Sequence, residues 1–262
     1  MIARVAAGLA IAAVIGIAAW AARALTTRGA IAATTVGAAA IAAGWSWSIL
    51  LLAFFVSSSA LSRAGIDIKN HRTSGIVAKT GARDAAQVIA NGGIFGVIAV
   101  ASIIAPSDAW LAAGAGALAA STADTWATEL GTLLGGTPRL ITNGRAVSPG
   151  TSGGITAAGT LGMIAGSAFL TLVAAALVWP RHVVAATLVG GVAGAVADSL
   201  AGATIQARRR CTSCDTRTER TIHSCGTPTV HAGGIPWLSN DSVNLLCGAV
   251  GAATAVAVTR AF

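Results

Sequence analysis

The sequence has few charged residues: Asp, Glu, Lys and Arg together make up only 10% of its 262 positions. Soluble domains carry about 25%, so this shortage excludes an ordinary soluble protein. Large aromatic side chains are also scarce, since Tyr is absent and Phe occurs five times, whereas Gly occurs 32 times. Small residues let transmembrane helices approach one another closely, and 55% of the residues are hydrophobic. We therefore expect an all-α, polytopic bundle of transmembrane helices.

The apolar segments predict eight transmembrane helices in a single integral-membrane domain over residues 1–262. The predicted spans are 2–22, 29–44, 46–62, 85–105, 109–133, 155–179, 182–206 and 237–260. Seven spans is the alternative, with 29–62 as one helix. That helix would be roughly 50 Å long against a hydrocarbon core of about 30 Å, so we place a turn at Gly44. The first segment is long for a signal peptide, which favours a span over a cleaved leader.

Basic residues divide unevenly between the two sides of this arrangement. The side that holds the loops 63–84, 134–154 and 207–236 carries 14 of the 17 Lys and Arg residues, and the other side carries Arg4, Arg181 and Arg260. Cytoplasmic loops are enriched in Lys and Arg, so we expect the three loops in the cytoplasm and both termini outside. The net charge of +8 then indicates contact with anionic lipid and not with nucleic acid. Tryptophans are expected at the membrane interfaces, with Trp45, Trp47, Trp110 and Trp179 outside and Trp20 and Trp237 inside.

Two carboxylates occur inside predicted spans, where each costs about 2.5–3.5 kcal/mol on insertion scales. Asp124 in STADTWATELG and Asp198 in GAVADSLAGATIQ both follow Ala and precede Thr or Ser, about two turns from the cytoplasmic end. The matching contexts predict a degenerate internal repeat, and such repeats often place a site at their interface. Two Asp residues on facing helices can hold Mg²⁺, and the alternative is a proton or cation path through a transporter. Glu129 lies about 140° around the helix from Asp124, so the two need not share a ligand.

Four polar residues at intervals of four run from the first long loop into the fourth span: Lys79, Arg83, Gln87 and Asn91. They share one helix face if the helix begins near Lys79. Two cationic side chains followed by two amides would suit a ligand with an anionic group next to a neutral polar group. The alternative is a basic helix that binds lipid headgroups. The start of the last span adds further polar residues on the same side of the membrane, namely Asn240, Asp241 and Asn244.

The second loop contains a glycine-rich turn, PGTSGG, just before a predicted helix. Backbone N–H groups in such a turn and at a helix N-terminus form an anion site, here with Arg139 and Arg145 nearby. The turn lacks the Walker Lys-Ser/Thr ending, which excludes a P-loop.

The third loop, within 207–236, contains CTSCDTRTERTIHSCG. Its Cys211, Cys214, His223 and Cys225 have the spacing C-x2-C-x8-H-x-C. Cytoplasmic thiols stay reduced, so zinc is expected over a disulfide, with free thiols in a basic loop as the alternative. Cys247 lies within the last span, where we expect it to pack against other helices.

Five stretches, taken as a set, resemble a membrane family described as domain of unknown function ninety-two, which includes phytyl-phosphate kinase of plants and cyanobacteria. They are RTSGIVAKTGARDAAQVIANGG, ADTWATELG, PRLITNGRAVSPGTSGGIT, ADSLAGATIQ and NDSVN, in the expected order from about Ser57 to the C-terminus. The family is distantly similar to dolichol kinase and to the cytidylyltransferases that make CDP-diacylglycerol. The middle of GTSGG departs slightly from relatives that more often have Asn there.

The resemblance implies a membrane kinase that transfers a phosphoryl group from CTP to an isoprenyl monophosphate such as phytyl or geranylgeranyl phosphate. On the residue pattern we assign Mg²⁺ to Asp124 and Asp198, and neutralisation of phosphate charge to Lys79, Arg83 and Arg145. The predicted substrate- and nucleotide-binding residues are Gln87, Asn91, Glu129, Arg145, Gly150, Thr151, Gly153, Gly154, Gln206, Asn240, Asp241 and Asn244. The rival interpretation is a transporter or lipid scramblase, which needs polar access from both faces. The outer half of the chain has almost no polar cluster, which favours the kinase.

Overall fold

The computed structural model describes the backbone of residues 2–261 and the side chains of residues 8–261. Its helices are α1 (Ile2–Ala21), α2 (Thr27–Ala43), α3 (Trp45–Arg63), α4 (Ile66–Arg72), α5 (Ala85–Ile104), α6 (Asp108–Leu134), α7 (Ala157–Ala176), α8 (Arg181–Thr204) and α9 (Asn240–Thr259). Its strands are β1 (Arg139–Leu140), β2 (Gly154–Ile155), β3 (Arg208–Cys211), β4 (Arg217–Thr218) and β5 (Thr229–Gly233). Of the residues used for the topology prediction, the Arg4 side chain and the termini Met1 and Phe262 lie outside the described part.

Each of the eight predicted spans coincides with a helix, and the predicted turn at Gly44 separates α2 from α3. Within the described residues, however, five helices are long and apolar enough to cross a membrane: α3, α5, α7, α8 and α9. The prediction of eight apolar spans is therefore wrong by this criterion. α2 has 17 residues and contains Thr34 and Thr35, and α6 carries Asp124 and Glu129 among several hydroxyl residues. Polar residues of this kind lower the mean hydropathy of a helix below that of a simple lipid-facing span.

α6 forms the centre of the bundle, and every residue from Ala112 to Ala123 is buried. Small residues make this possible, because α8 and α9 both approach α6 closely, and α9 does so until the two backbones touch. A Cβ added to Gly116 would lie 2.5 Å from the Gly251 carbonyl oxygen, and one at Gly194 would lie 2.4 Å from the Cβ of Ala120. The predicted role of the small residues in close helix packing is thus confirmed, and α6 is surrounded by α7, α8 and α9.

The tryptophans predicted at the outer interface differ in how far they are exposed on the bundle. Trp45 is exposed, but Trp47 and Trp179 are buried, with ring centroids 5.9 Å apart, and Trp47 also packs against Phe95. These two tryptophans belong to the core because the adjacent α6 presents Gly114 and alanines, which leave room for large rings. Both rings therefore face neighbouring helices, and their depth near the outer interface stays a prediction.

The long connections all lie at one end of the bundle, which we call the loop end. They are residues 64–84 with α4, residues 135–156 with the β1–β2 pair, and residues 205–239 with the sheet β4-β3-β5. Both sheets are antiparallel. The predicted Cys/His loop 207–236 is thus a small β-sheet module, and the protein is mostly helical with two minor sheets at the loop end.

Candidate active site at the loop end of the bundle

A cavity of about 960 Å³ opens at the loop end. It is bounded by the three long connections and by the adjoining parts of α5 to α9. The structure brings together there nearly all of the predicted site residues: Lys79, Arg83, Gln87, Asn91, Asp124, Glu129, Gly150, Thr151, Gly153, Gly154, Asp198, Gln206, Asn240, Asp241 and Asn244. Arg145 is the exception, because it lies in an exposed turn outside the cavity wall. Segments separated by more than 150 residues in the sequence therefore meet in one concave surface.

Asp124 and Asp198 form the floor of the cavity. α6 and α8 pack side by side and both run toward the loop end, so the two carboxyl groups come within hydrogen-bonding contact. With its amide turned so that the nitrogen faces α8, the orientation that satisfies both of its polar atoms, Asn244 on α9 donates to Asp198 Oδ2 over 3.2 Å. Two adjacent carboxylates with further oxygen donors nearby are the ligand type that Mg²⁺ prefers, and like charges in contact favour binding of a cation.

Glu129 lies on another side of α6 and has a different partner. Its Oε2 accepts from Lys69 Nζ over 2.5 Å and its Oε1 from Ser62 Oγ over 2.6 Å. Lys69 is 5% exposed and also donates to the carbonyls of Leu61 and Ser62. Since all of its donors are used, the ion pair between Lys69 and Glu129 fastens α4 to α3 and α6. The pair therefore maintains the shape of the cavity, and its polar atoms are used within the protein instead of for ligand binding.

Arg83 faces the cavity and has no carboxylate partner among the described side chains. Its guanidinium donates to the hydroxyls of Ser59, over 3.4 Å, and Ser62, over 3.2 Å. The backbone is held firmly, because Arg83 N donates to Ala24 O and Arg83 O accepts from Thr26 N, each over 3.0 Å. A fixed guanidinium that pairs only with neutral groups retains its capacity to bind an anion.

Lys79 also lies in the cavity wall, where its Nζ contacts Asp241 Oδ2 at 2.5 Å and Asp84 Oδ2 at 2.9 Å. The condition for one shared helix face, a helix that begins near Lys79, is not met, because α5 begins at Ala85, the predicted start of the fourth span. Asp84 is the N-cap of α5 and forms a capping box with Gln87, which favours a helix start at that point. Lys79 and Arg83 therefore reach the cavity from a loop and not from one helix face.

Two of the predicted amide ligands are partly occupied by local contacts. Gln87 Oε1 accepts from Asp84 N over 3.1 Å, and Asn91 Nδ2 donates to Gln87 O over 2.9 Å. Both side chains line the cavity, but these atoms already serve the first turns of α5. Their remaining polar atoms, Gln87 Nε2 and Asn91 Oδ1, are left available for contact with a ligand.

The glycine-rich turn 149–154 packs tightly on the end of α8. Gly153 has φ +76°, and a Cβ there would lie 2.4 Å from the Ala203 nitrogen. Two amides of the turn are used internally, since Thr151 N donates to Ser148 O and Gly154 N to Thr151 O. The glycines therefore allow close approach to α8, and fewer of the turn's amides are open to a phosphate than the sequence indicated.

A second polar cluster joins the turn to the β-sheet module. Gln206 Nε2 donates to Ser152 Oγ over 2.9 Å and to Glu219 Oε1 over 2.8 Å, and Ser152 Oγ donates to the same Glu219 oxygen. Burial raises the pKa of Glu219 above its ordinary value of 4.5, although the hydrogen bonds from Ser152 and Gln206 oppose the shift. Gln206 is 2% exposed and thus positions Glu219 at the cavity.

Sequence reasoning did not single out Lys69, Ser152 or Glu219. One signal was present, because the chain contains only two lysines and nine acidic residues. Both lysines form ion pairs at the cavity, and five of the acidic residues line it. In a chain with so few charges, each charged residue in a polar loop next to an apolar span is thus a candidate site residue.

The four Cys and His residues of the third loop also come together, outside the cavity. One donor atom from each of Cys211, Cys214, His223 and Cys225 lies within 4.8 Å of the other three. All four cysteines of the chain are free thiols. Cys247 is buried in α9 as predicted, beneath Asp124 and Asp198.

The arrangement as a whole juxtaposes a carboxylate pair at the apolar base of the cavity with cationic groups on its wall. Carboxylates can hold a hard divalent cation, and Arg83 and Lys79 can neutralise phosphate oxygens. Phosphoryl transfer requires these two elements in one water-limited space.

Comparison with known proteins places the chain among integral membrane proteins. The family model described as "Integral membrane protein DUF92" matches residues 10–252. An uncharacterised membrane protein of Methanocaldococcus jannaschii is 36% identical over 161 residues, which cover 61% of this chain and 65% of that relative. Protein PGR of Arabidopsis thaliana is 30% identical over 250 residues, which cover 86% of this chain and 85% of the relative. A search of the solved structures finds no match for the chain. The family model and the plant relative, each matching most of the chain, show that it belongs to the integral membrane protein family DUF92.

Proposed function

We propose that the protein is a membrane kinase that transfers the γ-phosphoryl group of CTP to an isoprenyl monophosphate. The observation that carries this proposal is that one cavity is lined both by Asp124 and Asp198 and by Arg83, a guanidinium without a carboxylate partner among the described side chains. Carboxylates alone would suit a cation path, and a cationic wall alone would suit lipid headgroups. Their combination suits a metal–nucleotide complex next to a second phosphate.

The donor set at the base of the cavity fits Mg²⁺. Asp124 and Asp198 supply charged oxygens, and Asn244 orients Asp198 through a hydrogen bond. Bound there, Mg²⁺ would supply positive charge that offsets the negative charge of the phosphate groups during transfer. The Lys69–Glu129 pair stands apart from this set and keeps α4 in place.

The chain's own residues bind and orient the two phosphate groups. Arg83 and Lys79 neutralise negative charge at the wall, with Lys79 released from Asp241 or Asp84 as phosphate replaces them. An oxygen of the acceptor monophosphate attacks the γ-phosphorus, the bond from that phosphorus to the β–γ bridging oxygen breaks, and CDP leaves. The acceptor oxygen is already anionic, so the reaction needs no strong general base.

Apolar residues of the same cavity provide a surface for the prenyl chain. Met163 on α7, Val196 on α8 and Ile155 just before α7 line the wall that adjoins the bundle. An isoprenyl monophosphate has a charged head and a hydrocarbon tail, so it would place its head among the polar loops and its tail along these side chains.

The rival transporter function would need a polar route through the bundle. Beneath the aspartate pair lies buried Cys247, and deeper still the backbones of α6 and α9 touch at Gly116 and Gly251. At the far end, the ion pair between His182 and Asp108 lies on the surface. A cavity confined to the loop end, above this closely packed region, favours an enzyme over a conduit.

The test is an assay of purified protein in detergent with each nucleoside triphosphate and a panel of isoprenyl monophosphates, in the presence of Mg²⁺. We expect diphosphate product by mass spectrometry, with CTP the best donor. Proteoliposomes made from the same preparation serve for a flux assay of isoprenyl phosphates and cations. Flux without diphosphate formation would replace the kinase with the transporter.

A further inference from the structure

The small sheet β4-β3-β5 has almost no apolar core of its own. Its two large aliphatic side chains, Ile222 and Val230, are 61% and 50% exposed. The buried side chains between residues 208 and 233 are polar or sulfur-containing: Cys211, Thr218, His223 and Thr229. A module of about 30 residues without a hydrophobic core requires a disulfide, a metal or docking to another element for stability.

We propose that Cys211, Cys214, His223 and Cys225 bind one structural zinc ion, which holds this sheet and through it a wall of the cavity. Three thiols and one imidazole are the ligands of a closed tetrahedral zinc site. They come from three separate places, at the end of β3, in the turn before β4 and in the turn before β5, and the fold brings their donor atoms within 4.8 Å of one another.

The distances agree with tetrahedral coordination. A Zn–S bond of about 2.3 Å separates two sulfur ligands by about 3.8 Å and a sulfur from a nitrogen ligand by about 3.5 Å. Cys211 Sγ lies 3.5 Å from Cys225 Sγ, and His223 Nδ1 lies 3.2 Å from Cys225 Sγ. A disulfide needs sulfurs about 2.05 Å apart, so the Cys211–Cys225 pair is set at the spacing of shared ligands and not of a covalent bond.

The sheet is fastened to the loop that carries Lys79. Thr218 Oγ1 donates to Gly75 O over 2.7 Å, Glu219 N donates to Ile76 O over 2.9 Å and Arg220 Nε donates to Val77 O over 2.8 Å. The ligand residue His223 packs directly on the same loop, since a Cβ at Gly75 would lie 3.2 Å from His223 Nε2.

The same strand end places Glu219 against Ser152 and Gln206. The zinc ion would therefore act as a positioning element for two sides of the cavity: the Lys79 loop and the glycine-rich turn that contains Ser152. It would take no part in chemistry, because the four ligands fill its coordination sphere.

The test measures zinc content first, without any substrate, so its outcome is independent of the proposed kinase activity. We expect one zinc per chain in wild-type protein purified under reducing conditions, and loss of that zinc in Cys214→Ser and Cys225→Ser. Ser213→Ala, in the same turn as Cys214, and Cys247→Ala, a thiol outside the cluster, are the matched controls and should keep the metal. Wild-type protein without zinc, with iron in its place, or with a disulfide in its intact mass would overturn the proposal.

Hydrogen–deuterium exchange tests the positioning role. Removal of zinc with a chelator should accelerate amide exchange in residues 75–79 and 217–220 by about tenfold or more, while exchange in α6 and α8 stays unchanged. A zinc-binding protein whose loop 75–79 exchanges equally fast with and without the metal would refute the positioning role. The Cys225→Ser variant, in which the metal is absent from the outset, should exchange as the chelated wild type does.

Discussion

The aspartate pair is the side-chain feature on which the proposed chemistry depends most directly. Asp124→Asn and Asp198→Asn each retain shape and remove a charge that a hard cation requires, so we expect CTP-dependent turnover to fall by about 100-fold or more. The matched control is Asp108→Asn in the same helix, where the carboxylate pairs with His182 at the far end of the bundle. The measurement is diphosphate formation over a range of Mg²⁺ concentrations. Full turnover in both aspartate variants would remove this site from the mechanism.

The buried Lys69–Glu129 pair should affect stability before activity. Removing one partner leaves the other charge buried and unpaired, which costs about 3–5 kcal/mol, and Lys69 is only 5% exposed. We expect Glu129→Gln and Lys69→Met each to lower the thermal unfolding midpoint of the detergent-solubilised protein markedly. The double variant, which removes both charges, should lose less stability than the sum of the two single changes. Strict additivity would indicate that the pair is not coupled.

Glu219 should make stability depend on pH. Burial raises its pKa above 4.5, so the folded protein holds this proton more tightly than the unfolded chain does. The resulting stabilisation is present below pH 4.5 and is lost as the pH rises through the folded-state pKa. We expect wild type to become less stable relative to Glu219→Gln as the pH rises above 4.5, measured by thermal unfolding of both proteins. If the difference in stability between wild type and Glu219→Gln does not change with pH, the raised pKa of Glu219 is contradicted.

Among the loops and helices, the glycine-rich turn offers the sharpest structural test. A Cβ at Gly153 would lie 2.4 Å from the Ala203 nitrogen, whereas Gly144 in the same connection has a similar positive φ of +70° and nothing within 4 Å. Both Ala variants bear a backbone strain of roughly 1–2 kcal/mol, but only Gly153→Ala must also push the turn away from α8. We expect Gly153→Ala to lose most of its turnover and Gly144→Ala to keep it. Equal effects would show that the contact with α8 is unimportant.

Helix positions were largely predictable because long apolar runs are interrupted by Gly44 and by polar loops, which end helices for local reasons. The start of α5 at Ala85 agrees with the predicted fourth span, and the capping box of Asp84 and Gln87 is its local signal. The pairing of β3 with both β4 and β5 could not be predicted, because these strands are short and their polar sequence lacks an alternating pattern.

Asp124 and Asp198 were predictable as a pair, since a carboxylate in an apolar helix requires a compensating partner. The contact between Lys69 and Glu129 depends on how α4 folds back, which is a tertiary feature without a local signal.

For the molecule as a whole, the orientation in the membrane is the prediction that stays open. Cytoplasmic loops attract Lys and Arg, so an epitope inserted after Gly144 should be reached only in permeabilised cells and one inserted before Arg181 in intact cells. Both positions lie in or beside exposed turns. Detection of the Arg181 epitope only after permeabilisation would reverse the orientation.

The presence of only two lysines in the chain makes the protein unusually selective toward acylating reagents. Lys69 is enclosed, while the Lys79 side chain is 41% exposed, so Lys79 is the side-chain amine that an N-hydroxysuccinimide ester can reach. Apart from the N-terminal amine, a fluorophore introduced this way would sit at the mouth of the cavity in the unmutated protein. Its emission would then report directly on occupancy by nucleotides or lipids, without any engineered cysteine.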